Sequence, residues 1–134
     1  MRVLAAVVAT FAVVSLAACA GPSSVADNSY RGVPETLKSL PPSSGSPVPV
    51  WMERGKSFSI TRWGSSSCAP VPTKIESSGS EVTIRFEDAG KKDCTADMAA
   101  TTHEFTVPDG TGPPPLKITL TYSSWDGQNI LTLS

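Results

Sequence analysis

Strict alternation of apolar and polar residues is the feature that leaves this chain the fewest folds. Val82, Ile84 and Phe86 alternate with Thr83, Arg85 and Glu87, and Leu116, Ile118, Leu120 and Tyr122 alternate with Lys117, Thr119 and Thr121. A period of two puts every second side chain on one face, so each run predicts a strand buried on one side only. Ser57 to Trp63 repeats the pattern, with Phe58, Ile60 and Arg62 facing one way and Ser59, Thr61 and Trp63 the other. Phe105 and Val107 mark the apolar face of Thr102 to Val107, where His103 shares their alternation. Val48 to Met52, Val71 to Glu76 and Asn129 to Leu133 read as further strands. Arg54-Gly55, Ser78-Gly79, Ala89-Gly90, Pro108-Asp109-Gly110 and Asp126-Gly127 supply the turns, the last suggesting a terminal hairpin. About seven short strands without a long helical period predict an all-β, antiparallel β-sandwich of immunoglobulin-like type over residues 48–134, with a small open β-barrel as the alternative. Asp93 to Ala100 reads as one helical turn at most.

The cysteines bear on both stability and compartment. Cys68 and Cys94 form an even pair once Cys19 is set aside, and pairing in one disulfide is the expectation for an exported chain. The alternative, two thiolates on a metal, would need further nitrogen or sulfur ligands, and the chain has a single histidine. Cys68 follows the strand ending at Trp63 and Cys94 follows the strand ending at Phe86. The bridge is therefore expected to staple two loops at one end of the sandwich rather than cross its core.

The amino terminus carries a different kind of information. Arg2 precedes an apolar run from Val3 to Leu16, broken only by Thr10 and Ser15. A basic start, a short apolar segment and small residues at its end make a secretory signal over residues 1–18, too short for a comfortable membrane span of about 20 residues. Leu16-Ala17-Ala18-Cys19 resembles the bacterial lipobox. The resemblance implies that the Cys19 thiol receives diacylglycerol, that cleavage falls between Ala18 and Cys19, and that acyl chains such as palmitate hold the product on the extracytoplasmic face of the cell membrane. The alternative is an ordinary secretory cut at Ala18-Cys19-Ala20. Residues 19–47 follow as the expected tether: Ser, Pro and Gly fill more than half of positions 20–47, a composition that buries too little apolar surface to offset its ordering. Within it, Pro34 to Leu40 has the makings of a helical turn with Pro at its first position.

Few residues offer chemistry. Without Arg2, the chain keeps 10 basic against 12 acidic side chains and no basic stripe, which argues against nucleic-acid binding. Gly64-Ser65-Ser66-Ser67-Cys68 lacks the spacing of a nucleophile elbow, and His103 is the single available imidazole base. Glu87-Asp88 and Asp93 with Asp97 have no calcium-loop spacing, so neither metal nor cofactor is expected. Trp51, Trp63 and Trp125 are candidate contact residues, because exposed aromatics anchor protein partners and stack on sugars, although any one of them can equally belong to the core. The Pro108–Pro115 segment is either a stiff recognition edge or a plain connection. Trp63-Gly-Ser-Ser-Ser-Cys68-Ala-Pro followed by Cys94-Thr-Ala-Asp97 is similar to a pattern in small disulfide-containing lipoproteins of Gram-positive bacteria, across roughly residues 58–107. That resemblance implies location and disulfide and transfers no catalytic residue. The expectation is a membrane-anchored, non-enzymatic binding module for an envelope protein or a cell-wall glycan. A small hydrolase and a loop-based protease inhibitor are the alternatives.

Overall fold

A computed structural model describes residues 21–39 and 45–134. The signal segment, the cleavage position at Ala18 and the lipid-bearing Cys19 lie outside the described residues. Among the described residues, eight strands form two four-stranded sheets. They are β1 (Asn28–Arg31), β2 (Val48–Glu53), β3 (Ser57–Gly64), β4 (Val71–Ser78), β5 (Glu81–Glu87), β6 (Ala99–Thr106), β7 (Leu116–Tyr122) and β8 (Gln128–Leu133). One sheet has the order β1-β6-β3-β2 and the other β4-β5-β7-β8. The architecture is an open two-layer sandwich, not a barrel.

The alternation read from the sequence builds the core. Phe58, Ile60 and Phe105 project from one sheet onto Val82, Ile84, Phe86, Leu116, Ile118, Leu120 and Leu133 of the other, all of them buried. Phe58 stacks on Phe105 across the strand pair, with ring centroids 5.4 Å apart. The reverse face of β3 is buried as well. Thr61 and Thr102 share a hydroxyl–hydroxyl hydrogen bond of 2.9 Å, and the Thr102 hydroxyl also reaches the Gly32 carbonyl at 2.7 Å.

Three expectations need correction. The segment read as a tether contributes β1, which pairs with β6 from Asn28↔Glu104 to Arg31↔Thr101. Ahead of it, Val25 N–H donates to the Pro72 carbonyl and Asp27 N–H to the Glu104 carbonyl. Behind it, Glu35–Leu37 makes a 3-10 turn whose Leu37 is buried. The domain therefore begins well before Val48. Composition misled because an edge strand is held by backbone hydrogen bonds and needs little apolar surface of its own. Secondly, Asp93 to Met98 is irregular, and β6 begins at Ala99. Thirdly, all strand pairs are antiparallel except one: β5 and β7 run parallel, from Glu81↔Lys117 to Phe86↔Tyr122. A parallel pair requires a crossover. Here the chain leaves β5, crosses to the other sheet as β6 and returns through residues 108–115. The two-layer packing of an immunoglobulin domain is present with a different strand order.

The Pro108–Pro115 connection docks on the β4–β5 turn. Gly112 N–H donates to the Gly79 carbonyl at 2.7 Å, and the Ser80 hydroxyl donates to the Pro113 carbonyl at 3.0 Å. A Cβ at Gly112 would come within 2.5 Å of the Ser80 hydroxyl, so glycine permits the close approach.

Candidate functional site

The disulfide defines one end of the sandwich. Cys68 and Cys94 are bonded, with Cα atoms 5.4 Å apart, and join the loop after β3 to the loop after β5, as the strand positions predicted. A polar lattice fills in around them. Ser66 N–H donates to the Asp97 carboxylate at 3.0 Å, Thr95 N–H to the Ser67 hydroxyl at 2.9 Å, and the Thr95 hydroxyl to Asp97. The Ser66 and Thr95 side-chain hydrogen bonds hold the Asp97 carboxyl well below the usual carboxylate range. The Ser-rich run is thus a loop brace.

Beneath this brace the inward-facing row of the first sheet is polar. Arg31, Thr101 and Arg62 stand side by side across β1, β6 and β3, and Ser29, His103 and Ile60 form the next row. The Arg62 guanidinium lies against two rings of the opposite sheet, its Cζ 4.8 Å from the Phe86 centroid and 4.7 Å from that of Tyr122. Such cation–π contacts contribute about 0.5–2 kcal/mol. The Arg62 Nε is buried without a hydrogen-bond partner, and among the described residues no carboxylate forms an ion pair with it. Arg62 as a whole is half-buried, so its charge stays partly solvated, and the unmet Nε–H donor is the cost, about 1–3 kcal/mol. A cleft of about 240 Å³ opens beside it, between Arg62, Trp63, Ser65, Cys68, Pro70, Thr101 and His103.

His103 is 5 % exposed, edge-on to Phe86, and its Nδ1 lies 2.8 Å from the Ser29 hydroxyl. Burial, and then the Arg62 charge, push its pKa down to about 4. The Ser29–His103 distance is that of a nucleophile and its base. The Arg62 charge nevertheless opposes formation of imidazolium, and among the described residues no carboxylate is hydrogen-bonded to the ring as an orienting acid. Sequence reasoning passed over Ser29 because it lay in the expected tether, and no local motif marks it.

The three tryptophans separate. Trp51 packs edge-on to Phe58 with centroids 6.3 Å apart, and its indole N–H donates to the Ser134 carbonyl at 2.9 Å. It belongs to the sandwich. Trp63 is half-buried at the cleft. Trp125 is 54 % exposed and leans on Tyr122, centroids 5.5 Å apart. Tyr122 in turn stacks on Phe86 and donates its hydroxyl to Asn129. Trp125, Tyr122, Arg62, Phe86 and His103 thus form one continuous ladder from solvent to core. Among the described residues no group of three or more His, Cys, Asp or Glu converges, and no helix is long and apolar enough to cross a membrane. No family model matches the chain, and no curated protein or solved structure shows significant similarity to it.

Proposed function

We propose that this chain is an exported lipoprotein, held by Cys19 on the extracytoplasmic face of the cell membrane, whose sandwich binds an envelope protein or a cell-wall glycan without catalysis. The observation that carries the binding reading is the ladder running from exposed Trp125 through Tyr122 to Arg62, which has no carboxylate partner among the described residues, beside an open cleft. An exposed aromatic above a half-buried cation suits recognition, since aromatic anchors at the centre of an interface typically contribute about 2 kcal/mol or more. Position supports an envelope partner. Gly21 lies beside the Ala89 carbonyl in the loop that follows β5, on the side of the disulfide end. A lipid on Cys19, two residues earlier, would hold that end within about 7 Å of chain from the bilayer.

Capture of envelope components by the full-length protein tests the reading. Trp125→Ala, folded by circular dichroism, is expected to lose capture, with Trp63→Ala weakened; undiminished capture by both would remove it. Detergent phase partitioning tests the anchor, because Cys19→Ala should leave the detergent phase. The Ser29–His103 contact favours one second reading, a hydrolase. Esterase activity abolished by Ser29→Ala and by His103→Gln alike would establish it and overturn the non-enzyme reading.

A further inference from the structure

We infer that the cleft at the disulfide end receives a single carboxylate, the chain end of a peptide, with Arg62 as its charge partner. This deepens the binding-module reading and rests on it. The starting point is register. The inward-facing positions of β3 run Phe58, Ile60, Arg62, and the first two fill the core. The third is a half-buried guanidinium that lines the cleft and has no carboxylate partner among the described residues. Arginine offers donors in a planar fork that matches a carboxylate in a bidentate pair.

The surroundings select one negative charge. His103 is neutral at physiological pH and adds none of its own. Arg31, the other cation of the row, is exposed and gives an N–H to the Ser66 carbonyl. One half-buried cation without a carboxylate partner neutralises a monoanion, whereas a dianion such as phosphate would leave residual charge in the site. The Thr101 hydroxyl stands next to Arg62 in the row and supplies a further donor.

Size and wall chemistry select the rest of the ligand. The volume, about 240 Å³, lies below that of sites that enclose a whole drug-sized molecule, so the cleft takes one end of a chain. Trp63, Cys68, Ala69 and Pro70 give it an apolar side suited to a short alkyl group next to the carboxylate. A carboxylate beside a small side chain, continuing into an amide that leads out to solvent, is the carboxyl terminus of a peptide. Trp125, farther along the ladder, is placed to meet the residues that precede it.

The test uses full-length, nitrogen-15-labelled protein and follows the Arg62 Nε–H resonance and the Thr101 backbone amide. N-acetylalanine, its primary amide and inorganic phosphate are titrated separately. N-acetylalanine is expected to give a saturable shift at both positions, the amide to bind at least ten-fold more weakly, and phosphate to bind more weakly than N-acetylalanine. Arg62→Gln should abolish the saturable shift at Thr101. Because that variant removes a half-buried side chain, the wild-type comparison of acid with amide decides alone if it does not fold. A linear, unsaturated response to N-acetylalanine, or an equal response to the amide, overturns the carboxylate site; tighter binding of phosphate overturns the choice of anion. Capture by wild type that Trp125→Ala loses, alongside an unresponsive Arg62, would leave the binding module standing and remove this inference only.

Discussion

The two ends of the sandwich use the same inward-facing register and fill it with opposite chemistry. At one end Phe58, Phe105, Leu116 and Leu133 meet in an apolar plug capped by Trp51, whose indole N–H closes on the Ser134 carbonyl. At the other, the same alternation delivers Arg62, Thr101, His103 and Tyr122 under a disulfide-braced loop. The contrast separates what holds the fold from what the fold presents. Apolar inward positions at the first end account for stability, whereas polar inward positions at the second add little to it and are what the proposed binding role would use.

That contrast can be broken by substitution at matched positions. Phe58→Ala should lower unfolding free energy by about 3–5 kcal/mol, the usual effect of truncating a buried aromatic, while Arg62→Gln, which removes both the ring contacts and an unmet donor, should change it by less than about 2 kcal/mol. Urea denaturation measures both, and equal losses would mean the ends are energetically alike. Replacing Cys68 and Cys94 together by Ser frees a loop spanning 26 positions. The expected loss is about 3–4 kcal/mol, without loss of the native near-ultraviolet spectrum.

The polar end should also confer a pH dependence that the apolar end lacks. The His103 pKa is about 4 in the folded chain against an ordinary 6.5. Between those values the unfolded chain holds the extra proton, so stability is fully present above 6.5 and declines as pH falls toward 4. The decline should amount to about 2–3 kcal/mol. Urea midpoints taken from pH 7 to pH 4.5 should show it, and His103→Gln should flatten that part of the curve; an unchanged slope in the variant would assign the dependence elsewhere. The smallest effect concerns Gly127. A Cβ there would run into the Trp125 indole, so Gly127→Ala must swing the ring off Tyr122. Stability should change by less than about 1 kcal/mol, as at an exposed site. Trp125 fluorescence should nevertheless shift, and an unaltered spectrum would contradict the stack.

Period-two patterning was enough to place seven strands, because an alternating side-chain pattern marks the core-facing side of a strand even in β3, whose reverse face is buried under small polar side chains. β1 was illegible for the converse reason: Asn28-Ser29-Tyr30-Arg31 has no apolar alternation, and its place comes from hydrogen bonds with β6 and from Asp27 accepting the Thr106 N–H and hydroxyl. The parallel β5–β7 pair was hidden because patterning says which face a strand buries, not which strand it lies beside. Of the site, the anomaly was visible in part. Arg62 shares a face with Phe58 and Ile60 in the bare sequence, but the rings that receive it come from strands 24 and 60 residues further on. Nor could the sequence say which tryptophan is exposed, since that depends on neighbours brought together by the fold.

The pairing of β1 with β6 has a consequence for the order in which the molecule assembles. The hairpins β2–β3, β4–β5 and β7–β8 join neighbours in sequence and can close early. β1 waits for a partner 76 residues away, since Asn28 must find Glu104. Distant pairings form late because the intervening chain must be brought together first. β1, the first of the eight described strands, is therefore expected to dock late, and Ser29 reaches His103 to complete the polar end only at that step.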